Sequence, residues 1–267
     1  MARADSAPTG APGALDTGSL DEPQVRAMFD RIAGLYDRMN SVMTAGLHHE
    51  WRRRAADLAD LSPGDRALDV ATGTGDLALE LAARVAPGGE VVGIDFAEKM
   101  LELARAKAGE TNVRFETGNA LALDFPDGAF DAATVGFGAR NFADLGRGLA
   151  EMARVVRPGG RVVVLEITTP TRPPLSLFYR LWFDRLVPAL GWLAGALAAA
   201  HAHPGERAAT TTIADAYSYL PSSVRRFPAP APLAAEMERA GLAEISYVLT
   251  AGGIIALHAG TVPPERA

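Results

Sequence analysis

The sequence predicts an α/β fold: a doubly wound, mostly parallel sheet of seven strands, with a helical preface before it and a helical insertion after the fifth strand. Two observations carry this. Beyond Pro63-Gly64, short β-like runs alternate with helical segments, the signature of a parallel sheet flanked by helices. One of those runs, Leu68 onward, ends in the glycine-rich turn Gly73-Thr74-Gly75 that opens a helix. A chain of 267 residues, 48% hydrophobic and 22% charged, is large enough to bury one substantial core, and no internal linker splits it.

Taken in order, residues 1–24 are rich in Ala, Gly, Pro, Ser and Asp, lack the apolar stretch of a secretory signal, and are expected to form a disordered tail. From Val25 to Leu61, the apolar residues Phe29, Ile32, Leu35, Tyr36 and Met39 recur at helical spacing, followed by Trp51. The run Arg52-Arg53-Arg54 reads as a solvated helix face, with a functional role as the alternative. Strands are expected near 66–70, 90–95, 113–116, 130–137 and 161–167, and helices near 77–85, 98–108 and 145–156. Residues 170–219 read as a helical insertion, after which a helix near 233–240 and strands near 244–250 and 254–259 close the unit. The expected domain therefore spans 25–260, with 261–267 as a C-terminal tail. The uncharged run 186–200 contains Pro188 and falls short of the roughly 20 residues that span a bilayer, so it reads as a buried or interfacial helix.

Composition narrows the function. A formal net charge of -6 argues against general nucleic-acid affinity and favours a small-molecule substrate. With no cysteine, disulfides, thiolate metal sites and thiol catalysis are excluded, and a cytoplasmic location fits. His201 and His203 form a His-x-His pair without a neighbouring acidic-histidine cluster, so no metal is expected.

The glycine turn alone is a weak signal. Gly73, Gly75 and Ala78 satisfy the G-x-G-x-x-A pattern of dinucleotide enzymes, and Asp95, at the end of the next strand, could accept ribose hydroxyls. Charge separates the readings. Asp69 before the loop and Asp76 in the first helical turn would repel a pyrophosphate but suit the cationic sulfonium and amino groups of S-adenosylmethionine. Asp76 could equally be a plain helix-terminal acid. Gly118-Asn119-Ala120 after the third strand offers an amide and a small residue to an adenine, and Arg157-Pro158-Gly159-Gly160-Arg161 is a turn feeding the fifth strand.

These motifs, in this order, resemble the Rossmann-like class I methyltransferases. Further segments resemble the family that C-methylates demethylmenaquinone and ubiquinone precursors: Tyr36-Asp37-Arg38-Met39-Asn40, Gly46-Leu47-His48 followed by Trp51, Phe137-Gly138-Ala139-Arg140-Asn141, Tyr217-Ser218-Tyr219-Leu220 with Ser223-Val224-Arg225, and Leu249 to His258. The resemblance covers about Val25 to Gly260. It implies cofactor contacts at Thr74, Asp95, Asn119 and Ala120, a pocket shaped by Asp69, Gly73 and Gly75, and a cover supplied by Tyr36. Arg140 and Asn141 would face the substrate ring. The chain departs from the family at Phe227-Pro228-Ala229-Pro230-Ala231-Pro232 and in a longer, Ala-rich stretch at 194–214.

Methyl transfer needs an acceptor carbon aligned with an activated methyl, water excluded, and a cation to stabilise the phenolate of an ionised quinol. Arg140 is the candidate cation, its alternative being a salt bridge at a strand end; His48 is the candidate proton acceptor, its alternative a capping or packing role. The aromatics Phe178, Tyr179, Trp182, Phe183 and Trp192 suit core packing or a groove for an isoprenoid tail, and Arg172, Arg180 and Arg185 could touch a membrane surface. The expected partners are a prenylated quinol, a transient membrane contact at the inner face of the cell membrane and a second copy of the chain, without nucleic acid. The competing functions are methylation of another aromatic or polyketide acceptor, nicotinamide-dependent oxidoreduction, and a non-catalytic binding module.

Overall fold

Parallel strands covered by helices on both faces are buried along their whole length. The strand β1 (Arg66–Val70) shows this, with four consecutive buried residues after its first. The computed structural model describes residues 22–171, 173–181, 185, 186, 189 and 219–264. Before β1 come α1 (Glu22–Thr44) and α2 (Leu47–Leu58). After it the chain alternates through α3 (Asp76–Val85), β2 (Glu90–Asp95), α4 (Glu98–Ala108), β3 (Val113–Thr117), β4 (Phe130–Gly136), α5 (Leu145–Val155) and β5 (Val156–Ile167). Then follow α6 (Leu175–Leu181), a helical segment at 219–226, α7 (Pro230–Arg239), β6 (Ala243–Thr250) and β7 (Ile255–Thr261).

The seven strands lie in the order β3-β2-β1-β4-β5-β7-β6. Those from β1 to β5 pair in parallel, and β7 runs antiparallel to both of its neighbours. Alternation along each strand sends residues to two cores. Ala67, Val91, Ala132 and Val163 meet α2, α3 and α4 through Ala55, Leu81 and Leu101. Leu68, Val92, Ala133 and Val164 meet α5 and α7 through Leu149, Met152 and Met237. Winding reverses between β1 and β4, so the loops leaving the carboxyl ends of these strands diverge and open a crevice, where ligands of such sheets bind. Across that crevice lies α1, anchored by Val25, Met28 and Ile32 against Ala97 and Met100.

The described elements fall at the expected places with several ends displaced, among them α7, which begins at Pro230, three residues before its expected start. α1 begins at Glu22, inside the expected tail, and β7 continues to Thr261, one residue past the expected domain end. β5 starts at Val156 rather than 161, because Val156 pairs with Phe130 before the glycines of the turn loop out and Arg161 resumes pairing with Ala132. In the insertion, Tyr179 is buried against Val224. Arg172, Trp182, Phe183, Trp192, His201, His203, Tyr217, Ser218 and the stretch 194–214 lie outside the described residues, as do most of the apolar run 186–200 and the side chains of Phe178 and Arg180. Among the described residues no helix is long and apolar enough to cross a membrane.

Candidate active site

The turn after β1 is built from left-handed backbone. Ala71, Gly73 and Gly75 have φ of 53°, 55° and 82°. At Gly75 a side chain would also strike the Phe115 ring at 2.7 Å, so this glycine both turns the chain and lets the loop settle on β3. Two buried carboxylates hold the loop. Asp69 accepts Thr72 Oγ1 at 2.6 Å and Thr134 Oγ1 at 2.7 Å, tying the ends of β1 and β4 together. Asp95 accepts the Gly73 amide at 2.9 Å through one oxygen and the Ala97 amide at 2.9 Å through the other. Burial raises both acids, Asp69 to about 6 against the opposing pull of its two threonine hydrogen bonds, and Asp95 against that of its backbone amides.

Of the residues expected at the cofactor, Tyr36, Asp69, Gly73, Thr74, Asp95, Asn119 and Ala120 all line one cleft at the crevice, whose apolar walls include Ile94, Phe96, Met100 and Leu121. Gly75 stands behind the loop. Thr74 turns its hydroxyl to Asp37 of α1 at 2.6 Å, and the Asn119 oxygen accepts the Leu121 amide at 2.8 Å. Asn141 also faces this cleft and accepts Tyr219 Oη at 3.2 Å.

A second cavity of about 480 Å³ adjoins it. Its walls are mostly apolar, with Met28, Ile32, Met43, Trp51, Ile167 and Ile254 among them, and His48 and Arg140 line it too. Phe29, Tyr36, Arg52 and Phe137 face both spaces. Phe137 does so from a left-handed φ of 61°, a conformation that costs free energy for an aromatic residue and is characteristic of functional sites.

Arg140 is not an isolated cation. Its Nη1 donates to Glu166 Oε1 at 2.8 Å and to the Phe137 carbonyl, with both side chains buried. Burial works against the Arg140 charge, but Glu166, with Tyr36 and Tyr219 adding, more than restores it. Among the described residues, Nε of Arg140 is buried without a hydrogen-bond partner. The salt bridge given as the alternative role of Arg140 is thus present, and only its partner was not identified; the available signal was one carboxylate inside the apolar run 162–167, a residue that is buried only when paired.

His48 is engaged at both nitrogens. Ser41 Oγ spends its proton on the Asp37 carbonyl at 2.9 Å and so accepts from His48 Nε2 at 3.1 Å, which leaves the Nδ1 lone pair to Arg52 Nη1. Burial, with the charges of Arg52 and His49, lowers His48 to about 4. Arg52 is therefore no solvated arginine: it is buried, whereas Arg53 and Arg54 are exposed and pair with Glu50. The signal was helical phase, because His48, Trp51, Arg52, Ala55 and Ala56 form the buried stripe of α2.

Asp76 corrects the electrostatic expectation. It is absent from the cleft lining and instead meets Lys107 at 2.6 Å and Arg52 at 3.5 Å. Burial pushes its carboxyl up, but those two cations outweigh that and hold it below the ordinary range. Asp69 and Asp95 are the two carboxylates among the cleft's described lining residues. His48, His49 and Asp76 bring possible ligand atoms within 4.8 Å of one another, yet Arg52 already bonds His48 and pairs with Asp76 there.

Similarity to known proteins agrees with this geometry. A family model described as the ubiE/COQ5 methyltransferase family matches residues 17–262. A demethylmenaquinone methyltransferase of Thermus thermophilus is 48% identical over 238 residues, covering 88% of this chain and 100% of that protein. The ubiquinone/menaquinone biosynthesis C-methyltransferase UbiE of Teredinibacter turnerae is 38% identical over 242 residues, covering 89% and 91%. In fold, the chain resembles a SAM-dependent methyltransferase of Thermotoga maritima at TM-score 0.58 and 19% identity, covering 88% of this chain and 98% of that one. A SAM-dependent methyltransferase of Aquifex aeolicus gives TM-score 0.51 at 18% identity, covering 76% and 84%.

The buried ion pair makes a thermodynamic prediction. Glu166→Ala strands the Arg140 charge in an apolar wall and is expected to cost about 3–5 kcal/mol in urea unfolding, whereas the double change Glu166→Leu with Arg140→Met costs much less. Equal losses in the single and double variants would contradict the pairing as an energetic unit.

Proposed function

The chain belongs to the ubiE/COQ5 methyltransferase family, and on that premise we propose that it methylates a ring carbon of a demethylmenaquinol-type quinol in menaquinone or ubiquinone biosynthesis, with S-adenosylmethionine as donor. One observation carries this reading: a polar cleft at the sheet's crevice opens beside an apolar cavity of about 480 Å³, and the two share Phe29, Tyr36, Arg52 and Phe137. A cofactor and an apolar ring can thus meet across a common wall.

The cleft suits S-adenosylmethionine by its donor set. It presents two buried carboxylates, an exposed amide and flat apolar walls, and Arg52 is the one cation among its described lining residues, which disfavours a pyrophosphate. Asp95 would take the ribose hydroxyls, Asn119 and Ala120 the adenine, and Gly73 and Thr74 the amino-acid end, with Asp69 supplying negative charge near the sulfonium. Gly75 keeps the loop in shape, and Tyr36 covers the site from α1. Bound there, the cofactor supplies a methyl group already activated for transfer. What remains for the protein is to orient the acceptor, exclude water and stabilise the ring oxyanion.

Trp51 and Phe137, in edge-to-face contact at 6.3 Å, form part of the dry wall. Asn141, steadied by Tyr219, and Arg140, steadied by Glu166, would hold the ring. His48 keeps its proton on Nε2 and its lone pair on Arg52, so we assign it to positioning Arg52 rather than to taking the quinol proton.

Residues 22–261 constitute the methyltransferase domain in this reading. We place the membrane contact at the turn between α1 and α2. Val42 and Leu47 are 69% and 52% exposed, and Met43, Thr44, Ala45 and Leu47 line the apolar cavity, so the turn joins that cavity to the surface. A prenyl chain could enter there from a bilayer. A second copy would add at the outer edge of β6, where Tyr247, Val248 and Leu249 are exposed.

Incubation with demethylmenaquinol and methyl-labelled S-adenosylmethionine should label the quinone, and Arg140→Ala should lower kcat about tenfold or more, a loss of about 1.4 kcal/mol, while S-adenosylhomocysteine affinity holds. No label with wild-type protein would remove the reading; unchanged kcat in the variant would remove Arg140 from it.

A pH dependence follows from Asp69. Its folded value of about 6 lies above the ordinary 3.8, so the carboxylate is charged above that point and neutralised as pH falls through it. Attraction for the sulfonium is then lost, and the affinity for S-adenosylmethionine relative to uncharged-sulfur S-adenosylhomocysteine should fall on acidification through about pH 6, measured calorimetrically. A constant ratio would separate Asp69 from the sulfonium.

Flotation with phosphatidylglycerol vesicles should recover the wild-type chain but not Val42→Ser with Leu47→Ser, and sedimentation of the lipid-free fraction should report a dimer. Equal flotation, or a monomer, would dismiss the corresponding contact.

A further inference from the structure

The quinol oxygen that activates a ring carbon for methylation is the one on the neighbouring ring atom. Ionisation there places electron density on the acceptor carbon. Because that carbon must face the donor in the polar cleft while the ring occupies the apolar cavity, the ionising oxygen lies at the junction of the two spaces. The residue that stabilises it must line both. Phe29, Tyr36, Arg52 and Phe137 do so, and of these Arg52 alone carries a permanent charge. Arg140 lines only the apolar cavity, and its charge is matched by Glu166 at 2.8 Å.

Arg52 is held by one edge. Its contacts run through Nη1, which meets His48 Nδ1, the His48 carbonyl at 3.5 Å and Asp76 at 3.5 Å. Asp76 shares its charge between Arg52, through one oxygen at 3.5 Å, and Lys107, through the other at 2.6 Å. The Phe137 ring, 5.5 Å from the guanidinium carbon, fixes the plane of the group from one side. Nη2 and Nε take no acceptor among the described residues and are not sealed in the interior. A planar cation fixed at one corner, with two donors free at the wall between two cavities, has the form of an oxyanion site.

We propose that Arg52 is a catalytic residue whose free guanidinium N–H groups bind the ionising quinol oxygen next to the carbon that receives the methyl. The inference rests on the quinol methyltransferase reading above. The oxygen loses its proton to water, the ring carbon bonds the methyl as the carbon–sulfur bond breaks toward sulfur, giving a neutral ketone, and that ring carbon then passes its proton to water, which restores the aromatic phenolate. Arg52 binds the oxygen as an anion before methyl transfer and again after the ring proton has left, and as a ketone oxygen between, and exchanges no proton itself. The charged and titratable groups beside it are His48 on its own helix, with His49 and Asp37 of α1 acting on His48, Tyr36 on α1, Asp69 at the end of β1, and Asp76 on α3, backed by Lys107 on α4.

The test compares Arg52→Met and Arg52→Lys with wild type, using S-adenosylhomocysteine binding to establish that each variant is folded. For demethylmenaquinol methylation, Arg52→Met should lose about a hundredfold or more in kcat/KM at neutral pH. Activity should return as pH rises, with the profile displaced upward by about one to two units. Arg52→Lys, which keeps the charge, should be slowed but keep the wild-type profile. An independent readout is the absorbance of 1-naphthol, whose ground-state anion should form at lower pH on wild type and Arg52→Lys than on Arg52→Met. If Arg52→Met slows turnover without displacing the profile, or leaves naphthol ionisation unchanged, the proposal is overturned. Wild-type protein that shifts naphthol ionisation but does not methylate the quinol would instead overturn the substrate reading.

Discussion

The reversal of winding between β1 and β4 is the constraint on which the site depends. Two adjacent parallel strands whose following chains depart in opposite directions leave a gap at their carboxyl ends, and the loops after β1, β2, β3 and β4 line it. A buried carboxylate holds that gap in shape: Asp69 joins the two strands through Thr72 and Thr134 at 2.6 and 2.7 Å. Its neighbour Asp95 repeats the device on the glycine loop. Each carboxylate is costly to bury, and each recovers part of that cost by accepting well-aligned hydrogen bonds. The geometry is thereby tied to the same groups that make the cleft negative.

Around this frame, charge is used in pairs. Arg140 and Glu166 neutralise each other beside the apolar cavity, where leaving either charge without its partner is costly. Near the mouth, Lys107 gathers Asp37 and Asp76, and Asp37 accepts the Thr74 hydroxyl, so the cover helix α1 is fastened to α3, α4 and the glycine loop by polar contacts. The apolar contacts of Val25, Met28 and Ile32 anchor its earlier turns. The helix therefore joins a firmly packed beginning to a half-exposed, hydrogen-bonded region over the site, the kind of division that local opening follows.

Strand and helix positions were legible because alternation, helical periodicity and turn chemistry are local properties. β1, β2 and α4 fall where those patterns place them. The start of β5 was not, since Val156 becomes a strand residue through pairing with Phe130, twenty-six positions earlier in the chain. The cofactor side of the site was legible for the same local reason: loops after successive parallel strands reach one edge of the sheet. Asp76 misled, because a carboxylate in a first helical turn can face the ligand or turn away, and Lys107 and Arg52 turned it away.

The sequence by itself determined the architecture, the edge of the sheet where ligands bind, and, through its resemblance to a quinone methyltransferase family, the class of chemistry. Those depend on spacing along the chain, which the sequence displays directly. Tertiary structure alone decided which charges are spoken for: that Glu166 meets Arg140, that His48 serves Arg52, and that Arg52 rather than its two arginine neighbours turns inward. Each of these is a side-chain direction resolved by packing between elements, and no local pattern encodes the partner a buried charge will find.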